Sequence, residues 1–410
     1  MLKLNSSEKK TLLLLVIAGF LNGFVISTFQ IQDVIAKKAL HSLNWQITVL
    51  VMLWPISNIF SIWWGKILEH SRSISKYFVL TAIIGRLVLI FMFFVNNYYQ
   101  YLGILIILFS FNALISPAQN SIYQLKFTNK NRGMIFGFVV SITTLVSIIT
   151  SYAIGKILDV DENLYKYIFM IIGVLGCVSA LIMAMIKIDK KDNYNSKKLT
   201  LNEMIFEPIK RGIEVLRKNR DFAIFQRNFF IYGSAFMLLL PAIPIYLVES
   251  LGMSYTQTFI AKAIVASLGI LFLSPFAGKI HDKKNPAFFT TITFAILSLY
   301  PLILFISCKM LGSLYVNYIV YFAFFIYGIA MSAMVISWNI SSIYFAGSED
   351  VSMYQSVHVT LTGLRGLVMP FLGYLILKYF GIDVVFVVAF MIFLLSSFLS
   401  YRLYLQIDKK

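Results

Sequence analysis

An arginine near the carboxyl end of the chain lies in the middle of a long apolar stretch. Gln355, His358 and Thr362 precede Arg365 by ten, seven and three residues, so all four would share one face of an α-helix. A guanidinium binds anions through several N–H donors, and an imidazole changes its charge near neutral pH. The stripe therefore predicts an anion-binding site in which His358 can take up a proton. The alternative is a hydrogen-bond network that only holds the helix in place.

A second arginine, Arg86, is central in another apolar stretch. A charged side chain deep in a membrane costs about 2.5–3.5 kcal/mol on insertion scales, so such a residue indicates either a function or a local partner. Both interpretations of Arg86 are open from the residues alone.

Polar side chains also mark one side of three further apolar stretches. The set comprises Asn22, Gln30, Asp33, Asn112, Ser116, Gln119, Asn120, Tyr123, Ser332, Trp338 and Asn339. Asp33 is the acidic member, and it could take up a proton or form an outer gate. It could equally be a solvated helix end.

The composition indicates what kind of element holds these residues. Of 410 residues, 59% are hydrophobic and only 13% are charged, whereas about a quarter of a soluble domain is charged. A lipid-facing surface excludes charge, and the 37 phenylalanines suit such a surface. Cys177 and Cys308 both lie in apolar runs, which favours neither a metal site nor a disulfide. The chain is therefore predicted to be an integral membrane protein.

Twelve stretches approach or exceed the roughly 20 apolar residues that a spanning helix needs. They cover residues 12–35, 46–65, 77–97, 101–125, 134–157, 166–187, 223–248, 258–279, 287–308, 312–345, 352–377 and 382–404. The first runs past signal-peptide length without a small-residue cleavage site, so we expect it to be retained. The predicted fold class is an all-α membrane protein with twelve transmembrane helices.

The basic residues fix the expected orientation, because cytoplasmic loops are rich in Lys and Arg. With both termini in the cytoplasm, 26 of the 35 Lys and Arg residues fall on that side, 7 fall outside, and Arg86 and Arg365 lie within helices. The net charge of +17 is thus explained by topology, and we expect no nucleic-acid partner. The predicted location is the cell (inner) membrane, with both termini cytoplasmic.

One long polar segment, residues 188–222, divides the chain. Ile205, Ile209, Ile213 and Leu216 recur in it at helical spacing among basic residues, which predicts an amphipathic helix on the cytoplasmic lipid surface. A partner-binding helix is the alternative. The predicted domains are an N-terminal six-helix bundle over 1–187, this linker over 188–222, and a C-terminal six-helix bundle over 223–410.

The two halves also repeat each other in sequence. Gly65-Lys66-Ile67-Leu68-Glu69 closes the second predicted span, and Gly278-Lys279-Ile280-His281-Asp282 closes the eighth. The same three residue types end the fourth and the tenth predicted spans, as Ser121-Ile122-Tyr123 and Ser342-Ile343-Tyr344. This layout predicts two pseudo-symmetric bundles, as in transporters built from repeats.

With these motifs the sequence resembles the major facilitator superfamily over nearly its whole length. Its loop pattern of Gly, three residues and an acid is matched by Gly65–Glu69 and by Gly278–Asp282, the second followed by two lysines, and Arg132-Gly133 resembles its Arg-Gly after span four. The Gly-Pro pattern of its antiporters is missing from Ser141–Gly155, which disfavours antiport. The resemblance implies that spans one, four, seven and ten line a central cavity. It also implies that span three is peripheral, which favours a structural role for Arg86.

The polar residues and the resemblance together predict three roles. The predicted substrate contacts are Arg365, His358, Thr362, Gln355, Asn112, Gln119, Asn120, Asn339, Trp338 and Gln30. Proton or ion coupling is assigned to Asp33 and His358. The predicted gating residues at the cytoplasmic helix junctions are Gly65, Glu69, Gly278, Asp282 and Arg132, where an acid could bond to a helix N-terminus. For Glu69 and Asp282 the alternative is an ordinary loop charge.

These observations predict a secondary active carrier, by alternating access, for a small polar or anionic solute. The sequence has no nucleotide-binding loop and no metal-spaced cluster, so we expect no enzyme activity, no cofactor and no metal, and a gradient of an ion such as H⁺ as the driving force. A monomer in the lipid bilayer is expected. The alternative is a proton-coupled multidrug efflux antiporter, although membrane carboxylates are scarce. A ligand-sensing receptor is the third possibility, but only about ten residues follow Ser400.

Overall fold

The computed structural model describes residues 5–60, 63–64, 67–68, 71, 73–127, 129–186, 206–283, 285–346 and 351–409. All regular elements in these ranges are helical. The chain forms two compact units, each described separately below. The N-terminal unit comprises Met1–Ser42 and Phe60–Thr200, and the C-terminal unit comprises Leu43–Ile59 and Leu201–Lys410.

The helices are numbered in chain order. They are α1 Ser6–Lys38, α2 Asn44–Ile59, α3 Ser75–Leu80 continued by a π-helix Thr81–Arg86 and a 3₁₀-helix Leu87–Phe94, α4 Tyr98–Lys126, α5 Asn129–Val160, α6 Tyr165–Ala184, α7 Glu207–Lys218, α8 Arg220–Ile245 continued by a π-helix Tyr246–Ser250, α9 Tyr255–Phe259 continued by a π-helix Ile260–Val265 and an α-helix Ala266–Lys283, α10 Pro286–Lys309, α11 Val316–Ala346, α12 Val351–Phe380 and α13 Ile382–Ile407.

Eleven helices within the described residues are long and apolar enough to cross a membrane. They are the counterparts of eleven predicted spans. The predicted second span falls on α2, which has 16 residues and ends where the described part of the chain becomes interrupted. The multi-pass, all-helical class is therefore confirmed, while the twelfth crossing stays a prediction.

The ends of several helices lie outside the predicted apolar windows because polar caps extend them. α1 begins at Ser6, where the side chain of Asn5 accepts a hydrogen bond from the Glu8 N–H, and the Glu8 carboxylate accepts one from the Asn5 N–H. This reciprocal capping satisfies backbone donors that a helix start leaves open. Hydropathy reports the apolar centre of a helix and misses such ends.

Small residues set the close packing of the N-terminal unit, in which α1 packs against α5 and α6. A Cβ atom at Gly23 would lie 2.6 Å from the Val146 Cβ, so only glycine fits there. Gly173 and Gly176 of α6 similarly face α3, the helix that carries Arg86. In a lipid bilayer the hydrophobic effect contributes little to the association of helices. Close packing of their backbones, which small residues permit, stabilises the contact instead.

In the C-terminal unit, α8 packs against α12 and α13, and α9 packs against α11. Helix α2 packs along α12, where Gly363 faces Ile59 and Gly366 faces Pro55. Aromatic rings fill the space beside α8, and Tyr232 stacks on Phe294 with ring centroids 4.5 Å apart. This packing holds α8 and α12 side by side with their polar faces buried.

The helix in the long polar segment, α7, lies within the C-terminal unit. Gly212 is buried, and a Cβ atom there would lie 3.2 Å from Val357 Cγ2 of α12. Ile209 and Ile213 are instead 51% and 46% exposed. The helix therefore keeps an apolar face that this unit does not cover.

Candidate functional site

Arg365 of α12 reaches across to α8 inside the C-terminal unit, and its side chain is buried. Its Nη1 donates a hydrogen bond to the backbone oxygen of Phe229 at 2.6 Å, and its Nη2 donates to Thr362 Oγ1 at 3.2 Å. The guanidinium carbon lies 5.6 Å from the centre of the Tyr232 ring, a cation–π contact. Two hydrogen bonds and one ring face thus hold a full positive charge away from water.

Gly233 makes this placement possible. A Cβ atom at Gly233 would overlap the guanidinium of Arg365. In an α-helix the side chain at position i+4 covers the turn that contains the carbonyl of residue i. Because Gly233 has no side chain, the Phe229 carbonyl stays open to a second donor. Glycine at position 233 therefore leaves the space that the Arg365 guanidinium occupies.

His358 lies about two turns before Arg365 on the same face of α12, and it is equally buried. Its Nδ1 lies 2.9 Å from Gln226 Oε1 on α8, and Thr362 Oγ1 donates to the His358 backbone oxygen at 3.0 Å. The imidazole ring packs edge-on against Trp338 with centroids 5.8 Å apart. Since an amide oxygen only accepts, Nδ1 carries the proton in this contact.

Three buried nitrogen atoms on the α8–α12 contact have no hydrogen-bond partner among the described residues. They are Arg365 Nε, His358 Nε2 and Gln226 Nε2. Within the described part of the chain, no carboxylate pairs with Arg365. An unsatisfied buried donor costs about 1–3 kcal/mol, and more when it is charged. Arg365 Nε and Gln226 Nε2 are thus donors without an acceptor, and the described residues place no anionic group beside the Arg365 cation.

Arg86 lies in the N-terminal unit and is 1% exposed. Its Nη2 donates to Asn112 Oδ1 at 3.0 Å and to Asn22 Oδ1 at 3.4 Å, so Arg86 has local acceptors in its own unit, as a structural role would require. Asn112 was predicted as a substrate contact, but its amide oxygen accepts a hydrogen bond from Arg86. Gln119 lines a cavity of about 30 Å³ beside Arg86.

The other predicted residues that the structure describes have local contacts within their own units. Gln30 accepts a hydrogen bond from Ser151 Oγ at 3.5 Å in the N-terminal unit. Asp33 is 7% exposed, and its Oδ1 accepts from the Val34 N–H at 2.9 Å. Trp338 belongs to the C-terminal unit, where it stacks on Trp54 with centroids 6.4 Å apart as well as contacting His358.

A family model, that of the Major Facilitator Superfamily, matches residues 11–347 of the chain. The chain belongs to the major facilitator superfamily. This match confirms the predicted resemblance and the class of multi-pass membrane transporter. No curated protein matches the sequence.

Solved structures of superfamily transporters have the same fold. The nucleoside transporter NupG (D323A mutant) has a TM-score of 0.72 and 14% identity, with 97% of this chain and 100% of that chain covered. A POT family transporter in complex with 5-aminolevulinic acid has a TM-score of 0.81 and 13% identity, with 97% and 96% covered. A D-xylose-proton symporter has a TM-score of 0.71 and 14% identity, with 97% and 98% covered. Identities this low establish the fold alone.

Several residues that the superfamily resemblance singled out lie outside the described part of the structure. For the substrate contacts, these are the side chains of Gln355, Asn120 and Asn339. For the gate, they are Gly65, Glu69, and the side chains of Gly278, Asp282 and Arg132. Their predicted roles stay predictions.

The structure adds three residues to the Arg365 cluster that the sequence did not single out as site residues. Gln226, Phe229 and Tyr232 all lie on α8, more than a hundred residues before Arg365. Gln226 interrupts an apolar run, which was the one available signal. The backbone oxygen of Phe229 and the ring face of Tyr232 have no signature in a sequence.

Proposed function

We propose that this protein is a secondary active carrier for a small polar or anionic solute, and that Arg365 binds the negative group. One observation carries the proposal: a buried guanidinium in a transporter fold, without an ion pair to any described carboxylate. A fixed cation in low dielectric attracts an anion strongly because water does not compete. The unpartnered nitrogen atoms of His358 and Gln226 lie on the same helix contact and supply further polar contacts.

The fold neighbours are in keeping with small polar solutes. Those proteins are a nucleoside transporter, a POT family transporter in complex with 5-aminolevulinic acid, and a D-xylose-proton symporter. The test is the thermal stability of the purified protein against a panel of anionic metabolites, neutral sugars and lipophilic cations. A ligand at a hundred times its dissociation constant stabilises the native state by about 2.7 kcal/mol. Stabilisation by anions supports the carrier, and stabilisation by lipophilic cations alone would replace it with the efflux antiporter and make Asp33 the next residue to test.

Proton coupling through His358 gives the first prediction. His358 Nδ1 already carries a proton, so protonation adds a charge at the unpartnered Nε2, next to the cation of Arg365. That second charge is stabilised only when an anion is bound, so anion and proton should bind together. Affinity for the anion should therefore rise as pH falls, by roughly tenfold per pH unit where one proton is taken up.

The measurement is the dissociation constant of a stabilising anion across neutral pH for the wild type and for His358→Gln. The variant should lose the pH dependence while still responding to the anion through Arg365. His358→Asn is a second variant that does not titrate, and its amide can also donate, so it should lose the pH dependence as well. A pH dependence that survives in both variants would remove His358 from the coupling step.

We also propose that α7 lies on the cytoplasmic lipid surface, which is the second prediction. Ile209 and Ile213 form its uncovered apolar face, and Lys210, Arg217 and other exposed basic residues flank that face. Apolar side chains beside cations suit an anionic lipid surface. A spin label at Ile209→Cys should be accessible to oxygen in the bilayer, whereas one at Arg211→Cys should be accessible to a water-soluble nickel complex.

The label variants use the full chain in liposomes, with Cys177 and Cys308 replaced by alanine. Arg211 lies on the opposite side of α7 and is also exposed, so the two labels report on opposite faces of one helix. Equal exposure of both labels to the nickel complex would show that α7 is surrounded by water, and the lipid-surface assignment would then be wrong.

A further inference from the structure

The N-terminal unit contains a second buried cation that the Arg365 cluster does not use. Arg86 Nη2 has two amide acceptors, but Arg86 Nη1 has no hydrogen-bond partner among the described residues. Amide oxygens carry only partial charge, so they satisfy geometry without neutralising a guanidinium. Neither a described carboxylate nor a water-exposed surface compensates the charge. The arginine is therefore incompletely paired for its depth in a membrane.

A cavity lies directly against this arginine. Its volume is about 30 Å³, and its polar lining includes Asn22, Arg86, Gln119, Thr143 and Ser179. One water needs about 10–15 Å³ by this kind of measure, so the cavity has room for about two waters or one small anion. An incompletely paired cation and an adjoining polar cavity of this size are complementary to a single negative group.

The backbone around Arg86 is arranged for this position. Arg86 is the last residue of the π-helix Thr81–Arg86 and immediately precedes the 3₁₀-helix Leu87–Phe94. Such interruptions of an α-helix are frequent at functional sites. On α6, a Cβ atom at Gly176 would lie 3.2 Å from Arg86 Cδ, and one at Gly173 would lie 3.0 Å from the Arg86 backbone oxygen. The two glycines leave space for the arginine at both points.

We propose that the Arg86 cavity is a second anion site, in the N-terminal unit, that takes one compact monovalent anionic group. A chloride ion and the carboxylate of a small solute share this chemistry. In either case we expect the Arg86 side chain to rotate slightly, so that Nη1, which is buried in the structure, donates to the anion while Asn22 and Asn112 accept from Nη2. The Gln119 side chain, which lines the same cavity, can supply an amide donor.

The test uses the full chain with Arg365→Met, so that failure of the C-terminal site cannot be confused with failure of this one. Melting temperature is measured in gluconate buffer with increasing chloride, formate or benzoate at constant ionic strength. We expect a saturable rise of about 2 °C or more with an anion that fits. Benzoate, which exceeds the cavity, should give none. A response to chloride identifies an ion site, and a response to formate alone identifies a carboxylate site.

Adding Arg86→Met to the same protein should abolish the response. Gln119→Leu keeps the charge of Arg86 and the approximate side-chain volume. It should lower the affinity of the site for the anion about tenfold without abolishing the rise in melting temperature. Ser141→Ala is the matched control, because Ser141 is exposed, lies outside the cavity lining and donates to the backbone oxygen of Gly137. If Arg86→Met does not fold, crystals of the parent grown with bromide should place an anomalous peak within hydrogen-bonding distance of Nη1. An unchanged response in Arg86→Met, no response to any anion in the parent, or no bromide peak there would overturn the proposal.

Discussion

Replacing Arg365 with methionine is expected to abolish the response to the anionic solute that the C-terminal site binds, while leaving the protein as stable as before, or more stable. Methionine fills a similar length without charge, and the Phe229 carbonyl keeps its place in the α8 backbone. Affinity for an anionic solute should fall by about a hundredfold or more, which is roughly 3 kcal/mol for the loss of one buried charged contact. Transport of that solute should fall with it.

The stability of the variant separates the two interpretations of Arg365. A cation that only fastens α12 to α8 would lower the melting temperature when removed. A cation kept for a ligand is a cost to the empty protein, because it is buried without a carboxylate among the described residues. Its removal should therefore leave the melting temperature unchanged or raise it, as is common when a binding site is neutralised.

Two further variants sharpen this test. Gly233→Ala leaves Arg365 in the sequence but places a methyl group where its guanidinium lies, so it should also weaken anion binding. Arg402→Met removes one exposed positive charge from the same unit and is the matched control for net charge. An Arg365→Met protein that melts well below the wild type, and still responds fully to that solute, would assign Arg365 to structure alone.

The sequence predicted which residues of α12 share the face of this site, but it did not predict which helix packs against that face. Apolar length located eleven helices within the described residues, and helical spacing placed His358, Thr362 and Arg365 on one face, where the structure brings them together. Local periodicity does not encode which distant helix that face meets. Gln226 and Gly233 could therefore be recognised as parts of the site only from the packing of α8 on α12.

Backbone irregularity was the other feature that could not be predicted. The π-helix and 3₁₀-helix of α3 depend on how α4 and α6 pack around it, and the run from Ser75 to Phe94 has the hydropathy of an ordinary span. The cavity at Arg86 results from that packing. A count of polar residues could indicate that Arg86 needs acceptors, but it could not indicate that one of its two terminal nitrogens would lack one.

The packing of α9 against α11 leads to the second large expected effect. Gly269 and Gly328 face each other, so that a Cβ atom at Gly269 would overlap the backbone of Gly328. A side chain usually relieves a clash by rotating, but here the obstacle is the main chain of a neighbouring helix. The two helices would have to separate, and their contact along the whole crossing would loosen.

Gly269→Ala should therefore lower the free energy of unfolding by about 1–3 kcal/mol, and Gly269→Val by about 3 kcal/mol or more. The corresponding fall in melting temperature for valine is roughly 5 °C or more, measured on the purified protein in detergent. Gly137 is the matched control, because it is an exposed helical glycine with no atom within 4 Å of its would-be Cβ, and alanine or valine there should be neutral or slightly stabilising. A graded loss at 269 with none at 137 would attribute the effect to backbone contact, since both series change helix propensity equally. Equal behaviour at the two positions would mean that α9 and α11 do not approach each other as closely as Gly269 and Gly328 indicate.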